Sequence, residues 1–465
     1  MGELRRGNVQ QLQRVSRLVQ QAWREPRRIP HLLNQRIEPY RVANLSRPRR
    51  YLRAHELDGF KRALAASLGT RASVTPTQRV LRRVVDVLAG HADTTIDHRA
   101  ATDLVAEASE ALQGAELSVA LWFTLEEATR SVGLFSASST FTRRAFAAIE
   151  RECLRSPGLE AGLRSVLVSI HRGDLDETLE KLTRLCPSWQ RDVRACDLVP
   201  ATVEDDLYLS IAYYTALWSG DALERRPGGS ANGTGDRTAW QDAVEARNIV
   251  IYGPAPTSVC AEDLPPDPLV ARIAARGVMS WPSADACGGR ADIAYLNRRA
   301  TEWISTCDDR SMLETFRFVN GFTAIASRDD APILRVSAKP RRLYLSGSTS
   351  PNMVPVALFD VLLARPANVY VMGATFFTTS VAHRPESRPM DAQTGVRVTP
   401  KGSTGHYMAM CTDLAEQNAT QNRALVRNLL LADVIDGDAD VRRAVTGTDE
   451  DYLATLDAIY GRTRV

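Results

Sequence analysis

Through the first half of the chain apolar side chains return every three or four positions, as at Leu163, Val166, Leu167 and Ile170 and again at Leu175, Leu179 and Leu182. That spacing lays one apolar stripe along a helix, so it predicts amphipathic helices rather than strands. Between these two stripes stands His171-Arg172-Gly173-Asp174, a glycine stop followed by an aspartate suited to an N-cap, which predicts a helical hairpin. Residues 1–224 therefore read as an all-α domain. A polar, glycine-rich run at 225–235 buries nothing and serves as a linker over 225–239. After residue 240 the pattern changes to short apolar runs at 249–252, 293–296, 323–326, 342–345 and 369–372, separated by helical stretches. That alternation predicts an α/β domain over 240–465, with a parallel sheet covered by helices on both faces.

Composition adjusts this picture only at the ends. With 465 residues, 44% hydrophobic and 24% charged, the chain is neither fibrous nor disordered in bulk, and it is long enough for two domains. Net charge is only +3, yet the first sixty residues concentrate arginine, including Arg5, Arg6, Arg14, Arg17, Arg24, Arg27 and Arg28. Within them, Val15, Leu18, Val19 and Trp23 interleave with arginines. The segment suits a helix docked on its own domain, or a peripheral contact with an anionic membrane surface, equally well. The seven cysteines are scattered without a C-x-x-C pair, which points to a reducing compartment and buried thiols. Neither an apolar stretch of spanning length nor a signal peptide is evident, so a cytoplasmic protein is expected, able to sit at the inner face of the membrane. Nothing in the pattern calls for nucleic acid.

In parallel sheets ligands bind beyond the carboxyl ends of the strands, so the loops there carry the candidate chemistry. The run 248–258 ends its strand in Gly253-Pro254-Ala255, where a missing Cβ lets backbone approach a phosphate or ribose; a plain strand-to-loop glycine explains it as readily. The run 291–297 ends in Asn297, an amide able to donate and accept at a base or sugar edge, or simply a turn residue. A polar start containing Ser350 and Asn352 opens a helix to 363, and the strand after it leads into Gly373, Ala374 and Thr375. Such a helix start directs N–H groups toward an anion.

Together these three segments resemble the sialyltransferases. In that family a strand-Gly-Pro-Ser opening, a strand ending in Asn, and a Ser/Thr-Gly helix followed by an IYLxG(I/F)DFY-like strand form the site for a cytidine monophosphate sugar. The similarity spans about residues 246 to 430, and Gly405-His406-Tyr407-Met408 resembles the HY segment of the bacterial members. Asn352-Met353 stands where the family has its helix-start glycine, Phe376 or Phe377 where it has tyrosines, and Met410 near where it has its base. The resemblance implies a Rossmann-like glycosyltransferase domain, a GT-A-type variant. It would move a sialic acid or related ulosonic acid from a CMP-activated donor to a glycan or lipid-linked hydroxyl. Gly253, Pro254, Ala255, Asn297, Ser350, Asn352, Gly373 and Thr375 would hold the donor.

An inverting transfer needs a base for the acceptor hydroxyl, and histidine suits it because its pKa lies near working pH. Of seven histidines, His383 and His406 follow the last motif strand and are the two candidates, with Arg384, Arg388 and Lys401 near enough in sequence to meet phosphate. Asp436, Asp438 and Asp440 have the spacing of a divalent-metal pair, but Asp-Gly after a helix reads first as a turn with an N-cap, so no metal or cofactor is expected. Two alternatives stay open: a UDP- or GDP-sugar transferase, and a non-catalytic nucleotide- or glycan-binding scaffold in which the helical half carries the function.

Overall fold

The structure is a computed structural model. Apart from scattered positions between 77 and 86, it describes residues 98–112, 117–131, 133–195, 207–221, 235–274, 287, 289–297, 300–301, 316–321, 333–336, 341–345, 351–379 and 418–460. The chain forms two compact units, residues 1–148 with 461–465, and residues 149–460.

In the first unit α1 (His98–Ala111), α2 (Val119–Ser131) and the start of α3 (Phe135–Arg155) are described. Trp122 and Phe141 are buried and stack with ring centroids 6.1 Å apart. The charged pair Glu126–Arg130, one helical turn apart, is buried beside them at 2.9 Å.

In the second unit four helices precede the sheet: α4 (Leu159–Arg172), α5 (Leu175–Leu185), α6 (Trp189–Ala195) and α7 (Leu207–Trp218). The hairpin between α4 and α5 forms as its sequence predicts. Gly173 ends α4 at φ +80°, a left-handed conformation that costs glycine no Cβ clash, and the Asp174 side chain caps α5 through Glu177 N. Helix α7 is apolar all round and accordingly buried from Ser210 to Trp218. The short helix α8 (Gly235–Val244) then leads into the sheet. Although α4 to α7 precede the glycine-rich run in sequence, they pack in the same unit as the sheet.

The seven strands are β1 (Asn248–Tyr252), β2 (Leu269–Ala274), β3 (Ile293–Leu296), β4 (Phe318–Gly321), β5 (Ile333–Val336), β6 (Asn368–Met372) and the two-residue β7 (Asp436–Gly437). Every pairing is parallel, in the order β5-β4-β3-β2-β1-β6-β7. Ile249, Val250 and Ile251 are wholly buried, as a strand covered on both faces requires. From β1 the chain builds outward to β5, then returns through α9 (Met353–Leu362) to place β6 on the other side of β1. Helix α10 (Ala419–Leu431), α11 (Ala439–Thr446) and α12 (Asp449–Tyr460) complete the unit. The predicted α/β architecture with a parallel sheet is thus present, and among the described residues no helix is long and apolar enough to cross a membrane.

Local expectations differ in two places, and a third falls outside the described residues. The run 342–345, predicted as a strand, forms a 3₁₀ turn over Arg341–Leu343; Pro340 precedes it, and the Leu343 carbonyl accepts from His171 Nε2 at 2.7 Å instead of joining a ladder. The run 323–326 lies outside the described residues, where the preceding β4 is the strand seen. Strand β2 escaped prediction because Arg272 interrupts its apolar run. That side chain is wholly buried, with its guanidinium 4.7 Å above the Tyr252 ring and its Nε donating to Arg290 O at 2.6 Å. Of the described free cysteines only Cys287 is buried, and Cys260 is exposed, so the thiols are not uniformly sequestered.

Candidate functional site

Where a parallel sheet reverses its direction of growth, the loops from the two central strands diverge and leave a crevice at their carboxyl ends. Here that point lies between β1 and β6, which run into Gly253 and Gly373. The two glycines are pressed together. A Cβ on Gly253 would stand 2.3 Å from Gly373 O, and one on Gly373, whose φ is +61°, would stand 2.6 Å from Ala255 O. Backbone bonds stitch the contact: Gly253 N donates to Met372 O at 2.8 Å and Ala255 N to Gly373 O at 2.9 Å.

Gly373 N donates to Asp438 Oδ2 at 2.8 Å. The same oxygen accepts from Thr257 Oγ1 at 2.9 Å, and Oδ1 caps α11 by accepting from Val441 N at 2.7 Å. Asp438 is only 4% exposed, yet its carboxylate accepts from three donors, which offsets its desolvation. Asp438 is thus the N-cap its sequence suggested, whereas Asp436–Gly437, expected as a turn between helices, pair with β6 as strand β7. The carboxylate occupies the position from which an anion would reach Gly373 N.

Beyond the crevice, β6 continues into Thr375, Phe376 and Phe377, the last two with φ of +47° and +66°. Left-handed backbone at two successive bulky residues costs energy and needs support from outside the loop. Helix α12 supplies it: Tyr452 Oη donates to Phe376 O at 2.8 Å and Tyr460 Oη to Thr379 O at 3.1 Å. Burial holds the Tyr452 hydroxyl protonated, so it remains a donor. That helix is in turn fixed by Arg423 on α10, which donates to Asp449, Gly447 O and Ala444 O and lies 4.8 Å over the Tyr452 ring.

A second polar locus forms where α9 and α10 begin. Each helix returns antiparallel to the strands, so both first turns lie at the carboxyl side of the sheet. Asn352 caps α9 by accepting from Val354 N at 3.0 Å, and Asn418 caps α10 by accepting from Gln421 N at 3.1 Å. The two starts are joined through Asn422 Oδ1, which accepts from Asn352 N at 2.8 Å and from Tyr344 Oη at 2.7 Å. Next to it Gln421 Oε1 accepts from Leu345 N at 3.0 Å. Behind this locus α10 grips the end of α4: Asn428 Nδ2 donates to Ile170 O at 2.7 Å and Arg427 Nη2 to His171 O at 3.4 Å. His171 is buried, and burial lowers its pKa to about 4, with the positive charge of Arg427 adding to the effect against its bond to Leu343 O.

This chain matches no protein-family model, no curated protein and no solved structure.

Of the residues singled out from sequence, Gly253, Ala255 and Gly373 come together at the β1/β6 crevice, with Pro254 between the first two in the chain and Thr375 just beyond, bonded to Thr378 and Thr379. Asn352 lies at the α9 start. Asn297 closes β3 and caps the residues after it, its Oδ1 accepting from Ala300 N at 2.8 Å. Ser350, His383 and His406 lie outside the described residues, as do Arg384, Arg388, Lys401 and the basic segment 12–28. Asp438, Gln421 and Asn422 were not foreseen as site residues. A signal for the last two was present: Asn418, Gln421, Asn422 and Asn428 place amides at helical spacing on a helix whose other positions are largely apolar, and all four are buried.

Proposed function

We propose that this chain is a nucleotide-sugar glycosyltransferase, moving an ulosonic acid of the sialic acid type from a CMP-activated donor to a glycan or lipid-linked hydroxyl by a metal-independent, inverting route. The observation that carries the reading is the crevice between β1 and β6, where Gly253 and Gly373 close on one another at the carboxyl ends of a parallel sheet, because open sheets of this kind bind nucleotides at that point. The sialyltransferase resemblance of the same segments supplies the donor class. In this reading His406 or His383 takes the acceptor proton, Asn297 and Asn352 flank the nucleotide and sugar, and the Phe376–Phe377 turn, held by Tyr452 and Tyr460, walls the site. The basic N-terminal segment would bring the enzyme to a membrane bearing lipid-linked acceptors.

A thermal-shift panel of the intact chain with cytidine, uridine and guanosine mono- and diphosphates, each with and without divalent metal, tests the donor class, since a ligand selective for the folded state raises its melting temperature. Stabilisation by cytidine monophosphate without metal is the expected result. A uridine or guanosine diphosphate response that requires metal would move the chain to another glycosyltransferase class. Silence across the panel would leave the scaffold reading in its place.

A further inference from the structure

The crevice accounts for its own backbone donors: Gly253 N, Ala255 N and Gly373 N all bond to acceptors within the protein. The start of α9 does not. Val354 N is capped by Asn352, Pro355 has no N–H and Val356 N bonds to Asn352 O, while Met353 N–H has no partner among the described residues. Gln421 provides a second, independent donor. Its side chain is 2% exposed, and Nε2 has no hydrogen-bond partner among the described residues. The amide cannot simply be turned over, because Leu345 N–H requires the oxygen at the position where Oε1 now accepts it. A buried amide nitrogen left unmatched costs about 1–3 kcal/mol, a cost that a ligand oxygen accepting from it would remove.

Gln421 and Asn422 stand side by side on the first turn of α10. Asn422 holds Asn352 at the start of α9, and Gln421 holds Leu345. The open amide thus belongs to the first turn of α10, which Asn422 ties to the start of α9, and the dipoles at both helix starts favour negative charge. We infer that Gln421 is a ligand-binding residue: its Nε2, with Met353 N–H, takes an oxygen of a phosphate group seated between the first turns of α9 and α10. As the phosphate of the nucleotide donor, this inference rests on the proposed transferase reading and deepens it, moving the phosphate from the glycine crevice to the α9/α10 junction. Gln421 has no proton-transfer role here; it positions and selects an oxyanion.

The test is isothermal titration of the full chain at pH 8 with inorganic phosphate, cytidine and cytidine monophosphate, for the wild type, Gln421→Glu and Gln421→Met. Gln421→Glu keeps the acceptor for Leu345 N and replaces the donor with a repelling oxygen, whereas Gln421→Met keeps the volume and removes both. Unchanged circular dichroism in either variant secures the fold. Phosphate and cytidine monophosphate are expected to bind about tenfold more weakly to both variants, while any cytidine affinity stays as in the wild type. Equal binding of cytidine monophosphate to wild type and variants would overturn the inference and leave the nucleotide reading intact. Gln421-dependent binding of phosphate, with no nucleotide binding better than phosphate itself, would sustain the anion site and remove the nucleotide reading. A wild type that binds none of the three would remove both.

Discussion

Two polar loci lie at the carboxyl side of the same sheet, and they are finished differently. At the β1/β6 crevice every backbone donor of Gly253, Ala255 and Gly373 is matched, and Asp438 joins its two lobes through Gly373 N and Thr257 Oγ1 while capping α11 through Val441 N. At the α9/α10 junction the backbone is held by Asn352, Asn418 and Asn422, but Gln421 Nε2 remains open. Saturated polar networks rigidify, whereas an open buried donor invites a ligand. The crevice is therefore the hinge pin of the fold, and the junction is where the fold keeps a hand free.

The sharpest way to break this comparison is to push the crevice apart. Gly253→Ala sets a Cβ against the Gly373 carbonyl, which is backbone and cannot swing away. We expect a loss of about 4 kcal/mol in urea unfolding, above the roughly 1–3 kcal/mol usual for overpacking because the clash is with backbone. A cost below about 1 kcal/mol would show that the two loops are not locked together.

Acid should act on the junction first. A histidine ordinarily titrates near 6.5, and burial lowers His171 to about 4. Between those values the unfolded chain holds a proton that the folded chain refuses, so stability rises with pH through that window. The full contribution is present above about pH 6.5, and about 3 kcal/mol is lost once pH falls below about 4. His171→Gln, which keeps a donor for Leu343 O and cannot titrate, is expected to remove this component from the pH profile of the unfolding midpoint. Parallel profiles for wild type and variant would rule His171 out as its source.

The smallest of the three effects belongs to Asp438→Ala, which leaves Gly373 N and Thr257 Oγ1 without their acceptor and uncaps α11. About 2 kcal/mol should be lost, as for a helix cap together with an exposed buried donor. If the crevice rather than the junction held the phosphate, removing this carboxylate would also strengthen phosphate binding. Titration of the variant with inorganic phosphate should instead give an unchanged affinity.

Much of this was legible from local pattern. The stripes at Leu163–Ile170 and Leu175–Leu182, with Gly173 and Asp174 between them, specify a helical hairpin because periodicity and capping act over a few residues. The apolar runs of β1, β3 and β6 and the glycines after β1 and β6 likewise announce strands that end at a crevice, and Thr448, accepting from Asp451 N at 3.0 Å, starts the terminal helix where its acidic first turn begins. Strand β2 is hidden in the sequence by Arg272, whose buried guanidinium is supported by the Tyr252 ring and the Arg290 carbonyl. The turn at Arg341–Leu343 was mistaken for a strand because its apolar residues are buried against helices rather than in a ladder.

What the amino-acid sequence determined by itself is the type of the strongly patterned segments, such as the α4–α5 hairpin and strands β1, β3 and β6, and which of their faces are apolar, since both follow from spacing within one element. Tertiary structure alone decided which polar group meets which. Asp438 reaches Gly373 across 65 residues, Asn422 reaches Asn352 across 70 and Asn428 reaches Ile170 across 258. The physical reason is that a buried donor or acceptor must be matched by whatever the packed layers bring beside it, and that neighbour is set by strand order and helix placement rather than by distance along the chain.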